Sequence, residues 1–143
     1  MAERLRQVEL KNLYRGMDAN FNRAKEGLRV CEDVCRFLRN EEKSTRQYKL
    51  VRHRLSAVMA QLPVADIVQA RDVKRDVGQK TTRSESKRKD LSDVFYANSQ
   101  RVKESIRVLE EFTKLIETKA AQDLKEIRYR VYSLEKEVLK KLR

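Results

Sequence analysis

The chain has 143 residues, enough for one domain with a buried core, and 40% of them are hydrophobic. Charged residues make up 39%, and the formal net charge of +12 favours anionic partners such as nucleic acid, acidic lipid or phosphorylated metabolites. There is no run of 18 apolar residues and no apolar signal-peptide centre at the N-terminus, so the sequence predicts a cytoplasmic protein without a membrane partner.

The first half of the chain predicts two helices. Glycine and proline are scarce, and Leu, Glu, Lys and Arg are plentiful, which favours helix over strand. The first helix is predicted over about 17–39, after a helical lead-in that ends near Gly16. The second is predicted to begin around Ser44, where Ser44 and Gln47 fit a capping box, and to end near Leu62, before Pro63.

The second half predicts another two helices after a long connection. A third helix is expected from residue 91 or 92 to about 117, and a fourth fills the C-terminus from about Ala120. The connection over 70–90 is basic and has no apolar period. Two interpretations remain open for it: a solvated linker, or a lid that orders over an anionic ligand.

The two halves repeat one another. Residues 19–33 and 97–111 are identical at eight of fifteen positions, and KLVRHRL (49–55) matches KEIRYRV (125–131). The repeat predicts an all-α helical bundle built from two repeated helical hairpins with pseudo-two-fold symmetry. One domain, 1–143, then contains repeat one (about 17–62), the basic loop (about 70–90) and repeat two (about 91–139).

Polar side chains lie on the apolar face of each motif helix. On a helical wheel Asn20 lies at the centre of this face, Arg23 and Gly27 lie beside it, and Glu26 is one turn from Arg23. The second copy has the matching residues Asn98, Arg101, Glu104 and Ser105. Buried Asn and Arg need partners. They predict either an internal polar network between the copies, or a cavity at the two-fold axis where arginines bind phosphate.

Other charges flank the apolar stripes. One member of each arginine pair in the second and fourth helices is predicted to face the same cavity: Arg52 or Arg54, and Arg128 or Arg130. Cys31 and Cys35 are expected in the core. The remaining motif charges are expected to form a solvated, ion-paired face: Lys25, Arg29, Glu32, Lys103, Arg107 and Glu110.

Three segments together resemble a known family. These are DANFNRAKEGLRVCED (18–33), ARDVKRDVG (70–78) and YANSQRVKESIRVLEE (96–111). They resemble the monofunctional hydroxymethylpyrimidine phosphate kinase family, the all-helical domain often fused in front of thiamine phosphate synthase. The resemblance covers about 17–139 and implies transfer of a phosphoryl group from ATP to 4-amino-5-hydroxymethyl-2-methylpyrimidine phosphate, with ATP and Mg²⁺ as cofactors. It also makes thiamine phosphate synthase a candidate partner.

Given this reaction, each candidate residue can be matched to a role from its position in the sequence. Arg23 and Arg101, with the second- and fourth-helix arginines, are expected to hold the phosphate groups. The candidates for the other roles are Asp72 and Asp76 for Mg²⁺, Gly78 for close backbone approach to a phosphate, Asn20 and Asn98 for the aminopyrimidine edge, and Glu26, Glu104 or Asp76 as a general base. A nucleic-acid-binding module, which the inward Asn and Arg disfavour, and a non-catalytic regulator are the alternatives. A homo-oligomer is left open.

Overall fold

The computed structural model describes residues 6–80 and 87–142, and every regular element in these two ranges is helical. The prediction of an all-α fold is confirmed. The elements are α1 (Gln7–Asp33, continued by a π-helical turn over Val34–Leu38), α2 (Glu42–Met59), α3 (Val64–Gln69), α4 (Leu91–Thr113) and α5 (Thr118–Leu142).

α1 begins earlier than predicted, because Gly16 does not interrupt it. Residues 7–16 form one continuous helix with the first motif. A Cβ at Gly16 would lie 2.6 Å from Cε2 of Phe112, so the glycine lets α4 pack closely there. Gly16 is therefore a packing residue inside the helix, and the separate lead-in was a wrong prediction.

Helix ends also differ from the predictions. The π-helical turn ends at Leu38, and Asn40 has a positive φ of 50°, a conformation that ends helices. α2 begins at Glu42, where the Glu41 carboxylate accepts a hydrogen bond from the Ser44 backbone N–H at 2.9 Å. Glu41 is thus the N-cap, and the capping box at Ser44 was wrong. α4 ends at Thr113 rather than near 117, and the short α3 was not predicted.

The Glu41 cap gives a pH-dependent prediction. Hydrogen bonds from Ser44, and the ammonium of Lys141 at 3.3 Å, lower the pKa of Glu41 from its usual 4.5 to about 2. Because the folded pKa is depressed, its stabilisation is complete above pH 4.5 and is lost as the pH falls towards 2. Glu41→Ala should therefore cost about 0.5–2 kcal/mol of unfolding free energy at pH 7, and much less at pH 2.

Thermal melts of both proteins between pH 7 and pH 2 measure this difference. The exposed neighbour Glu42, which pairs with Arg46 across one turn, supplies the matched control Glu42→Ala. A difference for Glu41→Ala that stays constant down to pH 2 would contradict the electrostatic origin of the cap.

The motif helices α1 and α4 pack against each other, α5 packs on α4, and α2 packs on both α1 and α5. α1 and α4 are antiparallel, since Gly16 meets Phe112 while the Cys31 thiol lies 3.8 Å from the Phe95 carbonyl oxygen. Between these points, a Cβ at Gly27 would lie 2.6 Å from Val102 Cγ2 and 3.0 Å from the Asn98 carbonyl oxygen. The two motif helices therefore touch, as expected, while the two-fold relation between hairpins stays a prediction.

Apolar side chains from all four long helices form the core between them. Tyr48 of α2 is fully buried, with its ring edge-on to Phe95 at a centroid distance of 6.1 Å. Cys31 and Cys35 are buried and free, which confirms the prediction of core cysteines. Burial raises the pKa of both thiols, for Cys35 to about 11. None of the helices in the two described ranges combines the length and the apolarity that a membrane crossing requires.

Candidate functional site

Four of the predicted site residues lie on exposed surfaces of the two motif helices. They are Arg23 and Glu26 on α1 and Arg101 and Glu104 on α4. The expected pair between Arg23 and Glu26 is absent, and Arg23 instead donates to the Asn20 Oδ1 at 3.4 Å. Within residues 6–80 and 87–142, no other hydrogen bond or ion pair engages these four side chains. The prediction that Arg23 and Arg101 lie on the buried apolar face was therefore wrong, and both exposed guanidinium groups are accessible to an anionic ligand.

The two asparagines are bonded within their own helices. Asn20 Nδ2 donates to the Gly16 carbonyl oxygen and Asn98 Nδ2 to that of Val94, both at 2.8 Å. The Asn98 carbonyl oxygen faces Gly27, which follows Asn20 by seven residues in α1. Asn20 therefore lies about 10 Å from Gly27, towards the N-terminus of α1. The structure therefore keeps the two carboxamides apart. Asn20 is buried and Asn98 is half-buried.

Arg52 and Arg128 are engaged in buried ion pairs. Arg52 Nε contacts Glu32 Oε1 at 2.9 Å, and Glu32 is 2% exposed. Arg128 donates through both Nε and Nη2 to the Glu110 carboxylate, which is 4% exposed. This contradicts the predicted solvated position of both glutamates. The pairs occupy matching positions in the two copies, where each ties the first helix of a hairpin to the second.

Arg54 and Arg130 also have protein partners. Arg54 of α2 pairs with Glu126 of α5, and Arg130 of α5 donates to the Gln47 side chain of α2. These contacts join the second helices of the two hairpins. All four arginines thus bind groups on other helices, and a shared cavity for one arginine of each pair stays a prediction.

Lys103 is a further correction. It was expected to be solvated, but it is only 8% exposed. Its ammonium lies 2.9 Å from the Glu135 carboxylate, 4.8 Å from the centre of the Tyr132 ring and 5.7 Å from that of Tyr96. The helical wheel did not predict the burial of Lys103, because α4 packs on both α1 and α5 and its buried face is therefore wider than one apolar stripe.

An ion pair that sequence reasoning missed joins two of the quoted segments. Arg71 donates to both oxygens of Asp18 at 2.7 Å, and Asp18 is 5% exposed. Asn22 Nδ2 also donates to Asp18, at 3.2 Å from Oδ1. The pairing fixes the start of the 70–80 segment against α1. The repeat gave no signal for it, because Tyr96 stands at the matching position in the second copy.

The residues proposed for Mg²⁺ and phosphate follow Arg71 on an exposed segment. Asp72 Oδ1 accepts from the Arg75 backbone N–H at 3.2 Å, and Asp76 Oδ1 accepts from the Gly78 N–H at 2.9 Å. In the described part of the chain, no three His, Cys, Asp or Glu residues are grouped to hold a metal. Asp72 Oδ2 also lies 3.6 Å from the Arg75 Nε, so Asp76 is the less engaged of the two carboxylates. Carboxylates of this kind fit an ion that keeps water and phosphate oxygens as its other ligands, as Mg²⁺ does. Residues 81–86 of the predicted lid lie outside the described residues.

The fold and the site define a class: an all-helical protein in which buried Glu–Arg pairs join α1 to α2 and α4 to α5. Its two motif helices present exposed arginines that have no carboxylate partner among the described residues. Within that class, the chain belongs to the ThiD2 family, which matches residues 15–137.

Curated relatives agree with this assignment. The chain is similar to the thiamine-phosphate synthase of Nostoc punctiforme, with 38% identity over 96% of this chain and 37% of that protein. It is also similar to the thiamine-phosphate synthases of Rhodopirellula baltica (36% identity, 92% of this chain, 35% of that protein) and Synechocystis (38%, 94% and 38%). The chain thus spans a little over a third of the length of these relatives. No solved structure matches it.

Proposed function

We propose that this protein acts in thiamine biosynthesis as a kinase that transfers a phosphoryl group from ATP to hydroxymethylpyrimidine phosphate. The family and the names of the relatives support the pathway. The observation that carries the reaction type is the exposure of Arg23 and Arg101 at matching positions of the two packed motif helices, with no carboxylate partner among the described residues. A guanidinium that is not neutralised can bind phosphate oxygens through its planar fork.

The proposed phosphoryl transfer requires neutralisation of negative charge more than it requires a strong base. The acceptor is a phosphate oxygen, which is largely ionised at neutral pH. Bringing two phosphorylated molecules together requires cations that offset their repulsion and hold the reacting oxygens in line. Arg23 and Arg101 supply these cations in the proposal, and Glu26 and Glu104 orient the acceptor beside them.

The segment after Arg71 is assigned to Mg²⁺ and the transferred phosphate. The bidentate contact with Asp18 places this segment against α1, and Asp72 and Asp76 supply the carboxylates. When bound, ATP supplies the transferable phosphoryl group, and the ion offsets the charge of its phosphates. Gly78 has no side chain to obstruct a phosphate near its backbone.

The diphosphate product suits a synthase that forms thiamine phosphate, so such an enzyme or domain is the proposed partner, and the cytoplasm is the proposed compartment. A homo-oligomer stays a prediction, and the nucleic-acid-binding and regulatory alternatives become outcomes of the tests below.

The direct test incubates the purified protein with ATP, Mg²⁺ and hydroxymethylpyrimidine phosphate and follows the phosphorus NMR spectrum. The expected result is the appearance of ADP together with a pyrimidine diphosphate, and neither should form when the acceptor or Mg²⁺ is omitted. ADP production that does not depend on the acceptor, or no reaction by a folded protein, would contradict the proposal.

A further inference from the structure

A groove lies between α4 and α5, beside the buried pair of Glu110 and Arg128. It consists of two adjoining cavities of about 400 and 360 Å³, which share Arg107 and Arg128. We call it the α4–α5 groove and define it by the residues that the argument uses: Glu104, Arg107, Lys114, Lys125, Arg128 and Tyr129.

Cations exceed carboxylates in the α4–α5 groove. Arg107 and Lys114 share one carboxylate, Glu111, at 3.2 and 3.0 Å. Lys125 has no carboxylate partner in the described ranges, and its ammonium lies 5.7 Å from the centre of the Tyr129 ring. Arg128 is neutralised by Glu110. Glu104 lines the groove as well, so one positive charge is left over when its cations and carboxylates are counted: Arg107, Lys114, Lys125 and Arg128 against Glu104, Glu110 and Glu111.

The first hairpin has a cavity of about 400 Å³ at the matching place, and its lining differs. Arg36 and Lys49 there correspond in sequence to Lys114 and Lys125. However, Glu41 and Glu42 also line that cavity. Arg46 also lines it, so the first cavity shares part of the cations and has an excess of positive charge as well, but only the lining of the second includes an aromatic side chain, Tyr129. This contrast supplies matched controls.

An aromatic ring lies beside the unpaired cation. Tyr129 is 55% exposed, and the Arg128 guanidinium lies 5.1 Å from its ring centre. An exposed tyrosine next to cations suits a ligand with both a planar base and phosphate groups, because the base stacks on the ring while the cations contact the phosphates.

The groove also reaches the proposed reaction centre. Glu104 lines its second cavity and lies one helical turn from Arg101. We propose that the α4–α5 groove is the nucleoside triphosphate subsite, with the base against Tyr129 and the phosphates on Arg107, Lys114 and Lys125. This assignment rests on the proposed kinase function. It adds Lys114, Lys125 and Tyr129 to the candidate site, together with Arg107, which the sequence had placed on a solvated face.

Calorimetric titration of the whole protein with a non-hydrolysable ATP analogue and Mg²⁺ tests the assignment by binding alone. Lys125→Ala and Arg107→Ala are each expected to raise the Kd about tenfold, as for one lost charge-assisted contact. Lys49→Ala, the matching change in the first hairpin, should leave the Kd unchanged. Lys49, Arg107 and Lys125 are all exposed, so the folds should survive, which circular dichroism checks.

The outcomes separate this inference from the proposed function. Analogue binding that weakens in both groove variants, in a protein without kinase activity, supports the subsite and contradicts the kinase. Kinase activity with an unchanged Kd in Lys125→Ala and Arg107→Ala overturns the subsite and leaves the kinase standing. Failure of the analogue to bind also overturns the subsite. So does binding of a single-stranded RNA in place of the analogue, if this binding depends on the groove residues and weakens steeply with salt.

Discussion

Replacing Arg128 by alanine is expected to lower the free energy of unfolding by about 3–5 kcal/mol, because Glu110 would remain buried without its partner. Urea denaturation measures this change directly. The melting temperature should fall by roughly 10 °C or more, given the size of the domain. The effect should appear without any ligand, since the pair joins α4 to α5 inside the protein.

Two further variants show whether the loss comes from an unpaired charge. Arg46→Ala breaks an exposed pair with Glu42, and it should cost at most about 1 kcal/mol. Replacing both members, as in Glu110→Leu with Arg128→Met, should recover much of the loss, because no buried charge is left. A loss below about 1 kcal/mol for Arg128→Ala would contradict the buried-pair interpretation.

The matching pair in the first hairpin should respond in the same direction but less strongly. Arg52 is more exposed than Arg128, and Arg29 also lies 3.8 Å from Glu32, so some compensation remains when Arg52 is removed. The same kind of Glu–Arg pair would thus stabilise both hairpins, but only the glutamate of the first hairpin would keep a second cation nearby after the substitution.

The helical pattern predicted most of the fold because periodicity reports which face of a helix is apolar. It located the four long helices and the contact between α1 and α4. The pattern failed at Gly16. A glycine usually indicates a break in a helix, but this one lies within α1 and permits close packing with Phe112. The pattern also failed at Glu41, because a longer side chain folded back to perform the capping that Ser44 was expected to perform.

Ion-pair partners were harder to predict, because a helical wheel does not say which helix lies opposite a given side chain. Glu32 and Arg52 are twenty residues apart, and Asp18 and Arg71 are fifty-three apart. One signal was available: both copies keep a glutamate and an arginine at the matching positions, as Glu110 and Arg128 show. A pair retained in both copies could have indicated mutual contact. No such signal existed for Asp18 and Arg71.

The largest expected effect on activity comes from the exposed arginines of the motif helices. Arg23→Ala and Arg101→Ala should each lower the rate of phosphoryl transfer about 10- to 150-fold, which corresponds to loss of a charge-assisted contact worth roughly 1.5–3 kcal/mol. Stability should change by no more than about 0.5 kcal/mol, because both side chains are exposed. Steady-state kinetics and thermal melts of the same preparations measure both quantities.

Lysine at either position separates the role of charge from that of shape. Arg23→Lys keeps the charge but loses the planar fork, so it should recover only part of the lost rate. Lys136→Ala, an exposed change on α5, serves as a control with normal activity. A marked fall in stability with normal turnover by the folded fraction would mean that Arg23 and Arg101 hold the helices together. A folded protein with little turnover would instead place the phosphate contacts on the two motif helices, where the repeated sequence presents one arginine from each copy.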